Sequence, residues 1–434
     1  MPQPRVHVLV INWNGREHLD ACFRSLMATP YDNARFVLVD NASDDDSVAF
    51  VRESFGDDPR VEILALPENR GWSGGNNAGI QRALDDEADF VFLLNNDTAV
   101  APDCLPKLIE AAEADPEIGA LTPKILLYDH PDLLNSIGLA CSIVGACWDI
   151  GLGRLDRPRW NQPERVIGAC GAAALFRCDA LRKTGLLPED FDIYLDDLDL
   201  CLRIWQAGYT VWSCPAAVVR HKFSATMGEG ERLRRKYFLN VRNRMRIMRR
   251  NFPASKLPIV APALAWGECR AVGRALLDGE PWKAATHVQA WRDGIAYRSP
   301  DSSTNGVCAF WPLVRSTPLF FPGVALPDAD GWYPESIVRG LRCRPMGRHA
   351  RYHHEGGRLR ITLLGRYDLL GASHVRVEAN GQPVVRLIQA HSDSCIVDVP
   401  AGLLTLTAER IFDLEHTGER MDCGGWLAIE PIPD

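Results

Sequence analysis

The sequence predicts an α/β domain with a mostly parallel sheet and helices on both faces, followed by an all-β, sandwich-like domain. In the N-terminal half, short apolar runs typical of buried strands alternate with helical periodicity. A polar cluster follows most of these runs. Toward the C-terminus, the alternation of apolar and polar residues that is typical of strands replaces this pattern. A chain of 434 residues is also longer than one hydrophobic core usually serves, so two domains are expected.

The first strands and helices follow from local pattern. Two β-rich apolar runs enclose a stretch with apolar residues at helical spacing, which predicts a βαβ unit. Two more runs follow, each with a helical stretch behind it. The strands are predicted at 6–11, 36–39, 61–66 and 90–94, and the helices at 19–27, 76–84 and 104–114.

Four polar clusters follow these apolar runs. In open α/β sheets, ligands bind beyond the carboxyl ends of the strands. Any one cluster is ordinary turn chemistry, because Asn and Asp are favoured in turns and helix caps. Four together indicate a ligand site. The clusters are Asn12-Trp13-Asn14, Asp40-Asn41, Asn69-Arg70-Gly71 and Asn95-Asn96-Asp97.

Asp97 is the candidate metal ligand. It places a carboxylate just beyond a buried strand, with the amide oxygen of Asn95 nearby. Mg²⁺ and Mn²⁺ prefer oxygen ligands and share their coordination shell with substrate phosphates. His221 follows another apolar run and is a second, weaker candidate, since a lone histidine is usually not a ligand.

Three acidic residues open a predicted helix that runs from Leu198 to Gly208. The helix dipole favours negative charge in this turn, so part of the cluster is structural. Asp199 can pair with Arg203 four residues later. Asp196 and Asp197 are adjacent, and like charges this close raise the pKa of one carboxyl, which improves it as a proton acceptor.

Two further segments invite a functional interpretation. The glycine-rich stretch 71–79 is not a dinucleotide fingerprint, because that motif belongs in the first βα turn. Its glycines are expected to permit either close backbone approach to a ligand or tight helix entry. Residues 232–250 hold nine basic and no acidic residues together with an apolar stripe. They are predicted to form either a solvated helix or a contact with an anionic membrane surface or a pyrophosphate-linked acceptor.

Composition narrows the class of protein. The net charge of −8 opposes general nucleic-acid binding. The 13 cysteines include no CxxC pair, which fits reduced thiols rather than a disulfide framework or a zinc ribbon. No apolar stretch approaches the length of a membrane span. The expected location is cytoplasmic, or peripheral to the inner face of the cell membrane.

The texture changes after Pro253. Residues 256–295 are expected to be helical, with Pro258, Pro262 and Pro281 as breakers, and 299–305 is expected to be a linker. Strand alternation then dominates and includes a hairpin-type Asn380-Gly381. The predicted domains are 1–255, a helical segment and linker at 256–305, and a β-sandwich-like accessory domain at 306–434. Three aromatic residues of this last domain are expected either to bind glycan or to serve packing, in the core, against the catalytic domain or in a dimer: Trp332, Tyr333 and Trp426.

Taken in order, the motifs resemble family 2 of the glycosyltransferases, with its GT-A fold, and most closely its rhamnosyltransferase-like and galactofuranosyltransferase-like members. The resemblance covers roughly residues 5 to 255. The matching segments are VLVINWNG, LVDNASDDDS, NRGWSGGNNAGI, FLLNNDT, Gly168 to Arg177, YLDDLDLCLRIWQAGY, PAAVVRHKFSAT and KYFLNVRNRMRIMRRNFP.

The resemblance implies a role for each candidate residue. Asn95, Asn96 and Asp97 match the metal-binding DxD-type motif, with Asn95 in place of the first aspartate. Asp197 matches the general base, with Asp196 in place of the usual glutamate, and His221 matches the C-terminal metal-binding histidine. The donor nucleotide is expected at Asn12, Trp13, Asp40 and Arg70.

The predicted activity is metal-dependent, inverting transfer of a sugar from a nucleotide-diphosphate donor to a glycan or lipid-linked acceptor. L-Rhamnose from dTDP-rhamnose is the leading donor, and UDP- and GDP-hexoses stay open. A homodimer is also expected. One alternative is a non-catalytic nucleotide-sugar or glycan-binding scaffold. The other is nucleotidyl transfer, which requires a basic, glycine-rich first βα turn, and that turn contains only Gly15 and Arg16 here.

Overall fold

The structure is a computed structural model of the chain. The contacts between residues divide the chain into two compact units. The N-terminal unit contains 1–151 and 156–321, and the C-terminal unit contains 152–155 and 322–434. The three-part division predicted above stays a prediction, and the expected linker at 299–305 lies outside the described residues. The structure describes residues 3–222, 231–298, 309–315, 323–324, 330–333, 336–338, 341–354, 357–364, 374–388, 393–408, 412–416, 419–423 and 425–431.

The N-terminal unit alternates strands and helices, as predicted. Its strands are β1 (Val6–Asn12), β2 (Ala34–Asp40), β3 (Val61–Ala65), β4 (Phe90–Asn95), β5 (Thr98–Val100), β6 (Ile118–Leu127), β7 (Leu134–Ser136), β8 (Leu139–Cys141), β9 (Cys147–Asp149), β10 (Ala173–Arg177) and β11 (Thr210–His221). Its helices are α1 (Arg16–Met27), α2 (Ser47–Phe55), α3 (Gly71–Asp85), α4 (Cys104–Ala114), α5 (Cys178–Thr184), α6 (Asp196–Gln206), α7 (Glu231–Asn251), α8 (Leu257–Leu277) and α9 (Pro281–Ala296).

The main sheet has the order β3-β2-β1-β4-β10-β6-β11-β5, with β7 beside β6. The pairs among β3, β2, β1 and β4 are parallel, as is β6 with β11, while β10 and β5 run antiparallel to their neighbours. Every residue of β1 and β6 is buried, so both faces of the sheet are covered. The predicted α/β class, with a mostly parallel sheet and helices on both faces, is confirmed.

The glycine-rich segment forms the first turns of α3. A Cβ on Gly75 would lie 2.5 Å from Ile11 Cδ1, which is closer than side chains approach. The glycines therefore let α3 pack tightly on β1, so the expected close approach is between helix and sheet.

Helices α7, α8 and α9 pack against one another in the N-terminal unit. Pro258 and Pro281 stand in the first turn of α8 and α9, where proline fits because the N–H groups lack partners anyway. The expectation that Pro262 breaks the helical segment is wrong, since Pro262 lies inside α8. It is only six residues into the helix, so its missing N–H removes a single backbone bond near the end.

The C-terminal unit is built of short strands. Two of its sheets, β13-β14-β23-β16-β19 and β15-β20-β17-β18, share one core of apolar residues, which confirms the sandwich-like prediction. Trp332 and Tyr333 are 5% and 0% exposed, so they serve as core residues. The strands are β12 (Gly323–Val324), β13 (Ser336–Val338), β14 (Leu341–Met346), β15 (His349–His354), β16 (Gly357–Leu364), β17 (His374–Ala379), β18 (Gln382–Ile388), β19 (Asp393–Val399), β20 (Gly402–Ala408), β21 (Phe412–His416), β22 (Glu419–Cys423) and β23 (Gly425–Pro431).

Across the described parts of the chain, no helix combines the length and the apolar composition that crossing a bilayer requires.

Candidate active site

Asp97 and His221 meet because β5 pairs with the end of β11. The register sets Thr98 opposite His221, and the N–H of Lys222 donates to the carbonyl of Asp97 at 3.0 Å. His221 Nε2 then lies 3.3 Å from Asp97 Oδ1, and both side chains are 12% exposed. The sequence placed these residues 124 positions apart, and strand pairing brings them together.

The other ring nitrogen of His221 is held by Asn135 on β7. Nδ1 lies 2.6 Å from Asn135 Oδ1, and Asn135 is 1% exposed. Because an amide oxygen accepts only, Nδ1 must carry the proton and donate it. The other ring nitrogen, Nε2, faces Asp97. Sequence reasoning missed Asn135, which lies in an ordinary apolar stretch.

These residues fit a hard divalent cation. Asp97 Oδ1 is buried and accepts no hydrogen bond, which is costly unless a cation is its partner. Together with the Nε2 of His221, it would supply two ligands. Among the described residues no three His, Cys, Asp or Glu side chains are grouped to hold a metal ion. Such a site suits an ion that completes its shell with phosphate and water, as Mg²⁺ and Mn²⁺ do.

Asp196 and Asp197 open α6, on the predicted helix. Asp197 Oδ2 accepts from the N–H of Gly171 at 2.9 Å, and its Oδ1 accepts from the N–H of Leu198 at 2.8 Å. Asp196 Oδ2 accepts from Ser73 Oγ at 2.5 Å. Burial raises the pKa of both carboxyls, and the charge of Asp197 raises the pKa of Asp196 further.

Asp199 points into the protein rather than into the site. Its Oδ2 lies 2.9 Å from Arg203 Nε and 3.4 Å from Arg250 Nη1, and its Oδ1 accepts from Asn251 at 2.8 Å. The residue is fully buried. These contacts tie α6 to the end of α7 and fit the supporting role expected of Asp199.

The loop before α6 has an unusual backbone. Asp192, Tyr194 and Leu195 all have positive φ, at 70°, 72° and 65°, a region that side chains other than glycine rarely adopt. Asn243 of α7 stabilises this loop. Its Nδ2 lies 2.9, 3.0 and 2.9 Å from the carbonyl oxygens of Phe191, Ile193 and Tyr194. The basic segment thus supports the backbone that presents Asp197, which sequence reasoning missed.

Trp72 and Gly171 lie between Asn95, at the end of β4, and the carboxylate of Asp197. Trp72 Nε1 donates to Asn95 Oδ1 at 3.2 Å, and the N–H of Asn95 donates to the carbonyl of Ala172 at 3.0 Å. A Cβ on Gly171 would lie 3.0 Å from the Trp72 ring and 3.1 Å from Asp197 Oδ2. Glycine therefore leaves the room in which the indole and the carboxylate approach each other.

Asp149, at the end of β9, is a third carboxylate that sequence reasoning did not single out. Burial raises its pKa, and it interacts electrostatically with His221 and with Asp197. Its buried Oδ1 accepts no hydrogen bond. Asp149 therefore links the metal-side histidine to the candidate base. No sequence signal marked it, because a single Asp after Trp148 is ordinary turn chemistry.

The candidate donor residues form a hydrogen-bonded cluster at the ends of β1 and β2. Asn12 Nδ2 donates to Asp40 Oδ1 and to Ser43 Oγ, both at 3.1 Å, and Asn12 Oδ1 accepts from Asn96 at 2.7 Å. Ser43 also donates to both oxygens of Asp40, at 2.6 Å from Oγ and 3.0 Å from its N–H. Ser43 completes the cluster and was not predicted.

Trp13 and Arg70 lie at the rim. Trp13 is 58% exposed next to Asn12. The backbone N–H of Arg70 donates to Asn41 at 2.9 Å, while its guanidinium pairs with Glu189 at 3.2 Å. The roles assigned to these residues in holding a nucleotide stay predictions.

Three comparisons with known proteins bear on this geometry. Residues 7–185 match the family model described as "Glycosyl transferase family 2". An N-acetylglucosaminyltransferase of Rhizobium sp. (strain N33) is 26% identical over 227 residues, which are 50% of this chain and 48% of that protein. The N-acetylglucosaminyl-diphospho-decaprenol L-rhamnosyltransferase of Mycobacterium tuberculosis is 26% identical over 239 residues, 50% of this chain and 76% of that protein.

The chain spans 24% of one curated relative and 48% of another. Among solved structures, the mannosyltransferase PcManGT from Pyrobaculum calidifontis, in complex with GDP-Man and Mn²⁺, has a TM-score of 0.43 at 19% identity, over 68% of this chain and 76% of that one. The family match at 7–185 runs from β1 to the end of α5, and over this region the chain is similar to glycosyl transferase family 2.

Proposed function

We propose that this chain is a metal-dependent, inverting glycosyltransferase that uses a nucleotide-diphosphate sugar. One observation supports this most. A buried carboxylate oxygen without a hydrogen-bond donor, on Asp97, faces the Nε2 of His221, while a second carboxylate with a raised pKa, on Asp197, opens a separate helix. One carboxylate suits a cation, and the other suits proton transfer.

In this mechanism Asp197 accepts the proton of the acceptor hydroxyl as that oxygen attacks the anomeric carbon. The two N–H groups on Asp197, from Gly171 and Leu198, hold its carboxylate in one orientation. The bond to the donor diphosphate breaks on the opposite side, so the anomeric configuration inverts. Since its pKa is raised, Asp197 binds the proton more readily than an ordinary carboxylate would.

The donor is held on the other side of the site. Asn12, Asp40 and Asn96 form the proposed nucleotide pocket, with Trp13 and Arg70 at its rim. Asp97 and His221 would bind Mg²⁺ or Mn²⁺, which when bound stabilises the negative charge of the leaving diphosphate. Asn95 is turned to Trp72, so Asp97 is the principal carboxylate for this purpose.

We propose L-rhamnose on dTDP as the donor and a glycan or lipid-linked glycan as the acceptor. The matched relative named N-acetylglucosaminyl-diphospho-decaprenol L-rhamnosyltransferase supports L-rhamnose as the sugar and a lipid-linked glycan as the acceptor. UDP- or GDP-hexose donors are the alternative. A lipid-linked acceptor would bring the chain to a membrane surface, and we propose that residues 232–250 contribute to this contact. The homodimer is also part of the proposal.

The decisive experiment is a screen of dTDP-rhamnose, UDP-hexoses and GDP-hexoses for thermal stabilisation and slow hydrolysis, with Mn²⁺, Mg²⁺ or a chelator. We expect one donor to raise the melting temperature only with metal, because a ligand that binds the native state stabilises it. Asp97→Asn should lose this effect. A scaffold without catalytic activity would bind the donor with metal and never hydrolyse or transfer it.

A further inference from the structure

Helix α8 presents an exposed apolar face along its whole length. Ile259, Trp266, Leu276 and Leu277 are 59%, 64%, 58% and 85% exposed. Their spacing puts them on one side of a helix with 3.6 residues per turn. We call this side the outward face of α8. Its exposed members are Ile259, Pro262, Trp266, Cys269, Leu276 and Leu277.

The opposite side of α8 fixes the orientation of the helix. Val260 packs with Met245 and Met248 of α7. Glu268 is 5% exposed, lies 2.6 Å from His287 Nδ1 on α9 and also pairs with Arg244 of α7. Since α8 already buries this side, the outward face adds nothing to the core of the unit. A contiguous apolar surface of this kind marks an interaction site.

The charge around the outward face is positive. Within α8 the acidic residue Glu268 is buried. The exposed charged residues are Arg270, which lies on the outward face between Trp266 and Leu277, and Arg274 at its edge. Arg274 pairs with Asp278 at 2.7 Å at the end of the helix. Lys256 precedes α8, and the exposed Arg249 lies in the last turn of α7. The outward face thus combines apolar side chains with one arginine on the face, Arg270, and one at its edge, Arg274.

We propose that the outward face of α8 docks on an anionic lipid bilayer, with the helix parallel to the surface. Apolar residues on one side, a tryptophan among them and a rim of Arg and Lys are the features of interfacial helices. A second copy of the chain fits less well. The seam of a helix pair would place Pro262 and Gly273 where packed side chains are required.

This inference rests on the proposed function only in placing the chain at a membrane surface, and it assigns the apolar part of that contact to α8. Residues 232–250 contribute less, because Arg242, Arg244 and Arg246 are bound to protein groups. The test needs neither donor nor acceptor, so it succeeds or fails independently of the catalytic proposal.

The experiment is co-sedimentation of the full chain with vesicles of phosphatidylcholine, alone or mixed with phosphatidylglycerol. We expect binding to the mixed vesicles. The triple variant Ile259→Gln, Trp266→Gln, Leu277→Gln should bind at least about tenfold more weakly, since each side chain loses its apolar transfer into the interface. A matched control changes exposed apolar residues of the C-terminal unit, Val384→Gln and Ile396→Gln, and should bind like the original chain.

Three results would overturn the proposal. The original chain would fail to bind mixed vesicles, the triple variant would bind as tightly as the control, or sedimentation velocity would show a dimer that the triple variant alone dissolves. The last result would make the outward face an interface between copies. An unchanged melting temperature shows that the triple variant is folded.

Discussion

The carboxylates of Asp97 and Asp197 are positioned by two different kinds of backbone structure, paired strands for Asp97 and an irregular loop for Asp197. Asp97 lies between β4 and β5, His221 ends β11, and the pairing of β5 with β11 holds them in register. Asp197 follows a loop with three positive-φ residues and depends on Asn243, 46 positions later, for the conformation of that loop. We call these the metal half and the base half. Sheet hydrogen bonds set the backbone of the metal half, where Asn135 only orients the His221 ring, while the backbone of the base half itself needs a side-chain clamp.

The first prediction separates the two halves by function. Asp197→Asn should lower kcat by about 10²- to 10⁴-fold, the usual contribution of a general base, while donor and metal binding persist. Asp97→Asn should instead abolish metal-dependent donor binding. Transfer kinetics and calorimetric titration of Mn²⁺ with nucleotide measure the two effects. If both variants lost metal binding equally, the division into two halves would be wrong.

The second prediction tests how the metal half is oriented. Asn135→Ala removes the acceptor that fixes His221 Nδ1, so metal affinity should fall about 10- to 100-fold, with kcat restored at saturating metal. Asn33→Ala is the matched control, because Asn33 immediately precedes β2 and so lies at the opposite end of the strands from the site. Titration of Mn²⁺ by calorimetry reads the affinity. Equal affinity in the two variants would remove Asn135 from this role.

The same difference explains what the sequence could predict. Asp97 and Asn12 end apolar runs, and the geometry of parallel sheets brings such positions to one edge, so local pattern suffices for them. Asn135 and Asn243 act through contacts with residues far away in sequence, and their own surroundings carry no distinguishing pattern. The sequence of 232–250 predicts a solvated helix or a contact with an anionic membrane surface or acceptor, and only the packing reveals that Asn243 holds a loop.

The third prediction concerns that clamp. Asn243→Ala should lower kcat about tenfold, with little change in the KM for donor, because misplacing the loop moves Asp197 and leaves the nucleotide pocket intact. It should also cost about 1–3 kcal/mol of stability, since the carbonyls of buried Phe191 and of half-buried Ile193 and Tyr194 lose their donor. Asn240→Ala, whose amide bonds only within the same helix to Lys236, is the control in both kinetics and thermal unfolding. A fall in donor affinity instead would tie α7 to the metal half.

The smallest effect is expected in the pH profile. Burial raises the pKa of Asp197, so transfer should fall as pH drops through that raised value, because a protonated carboxyl cannot accept the acceptor's proton. Asp149 raises the pKa of Asp197 further, and Asp149→Asn should therefore move the acidic limb to lower pH. The exposed Asp57→Asn should leave the limb in place. Asp149 also interacts with His221, so a change in Mn²⁺ affinity without a shift of the limb would assign Asp149 to the metal half rather than to the base.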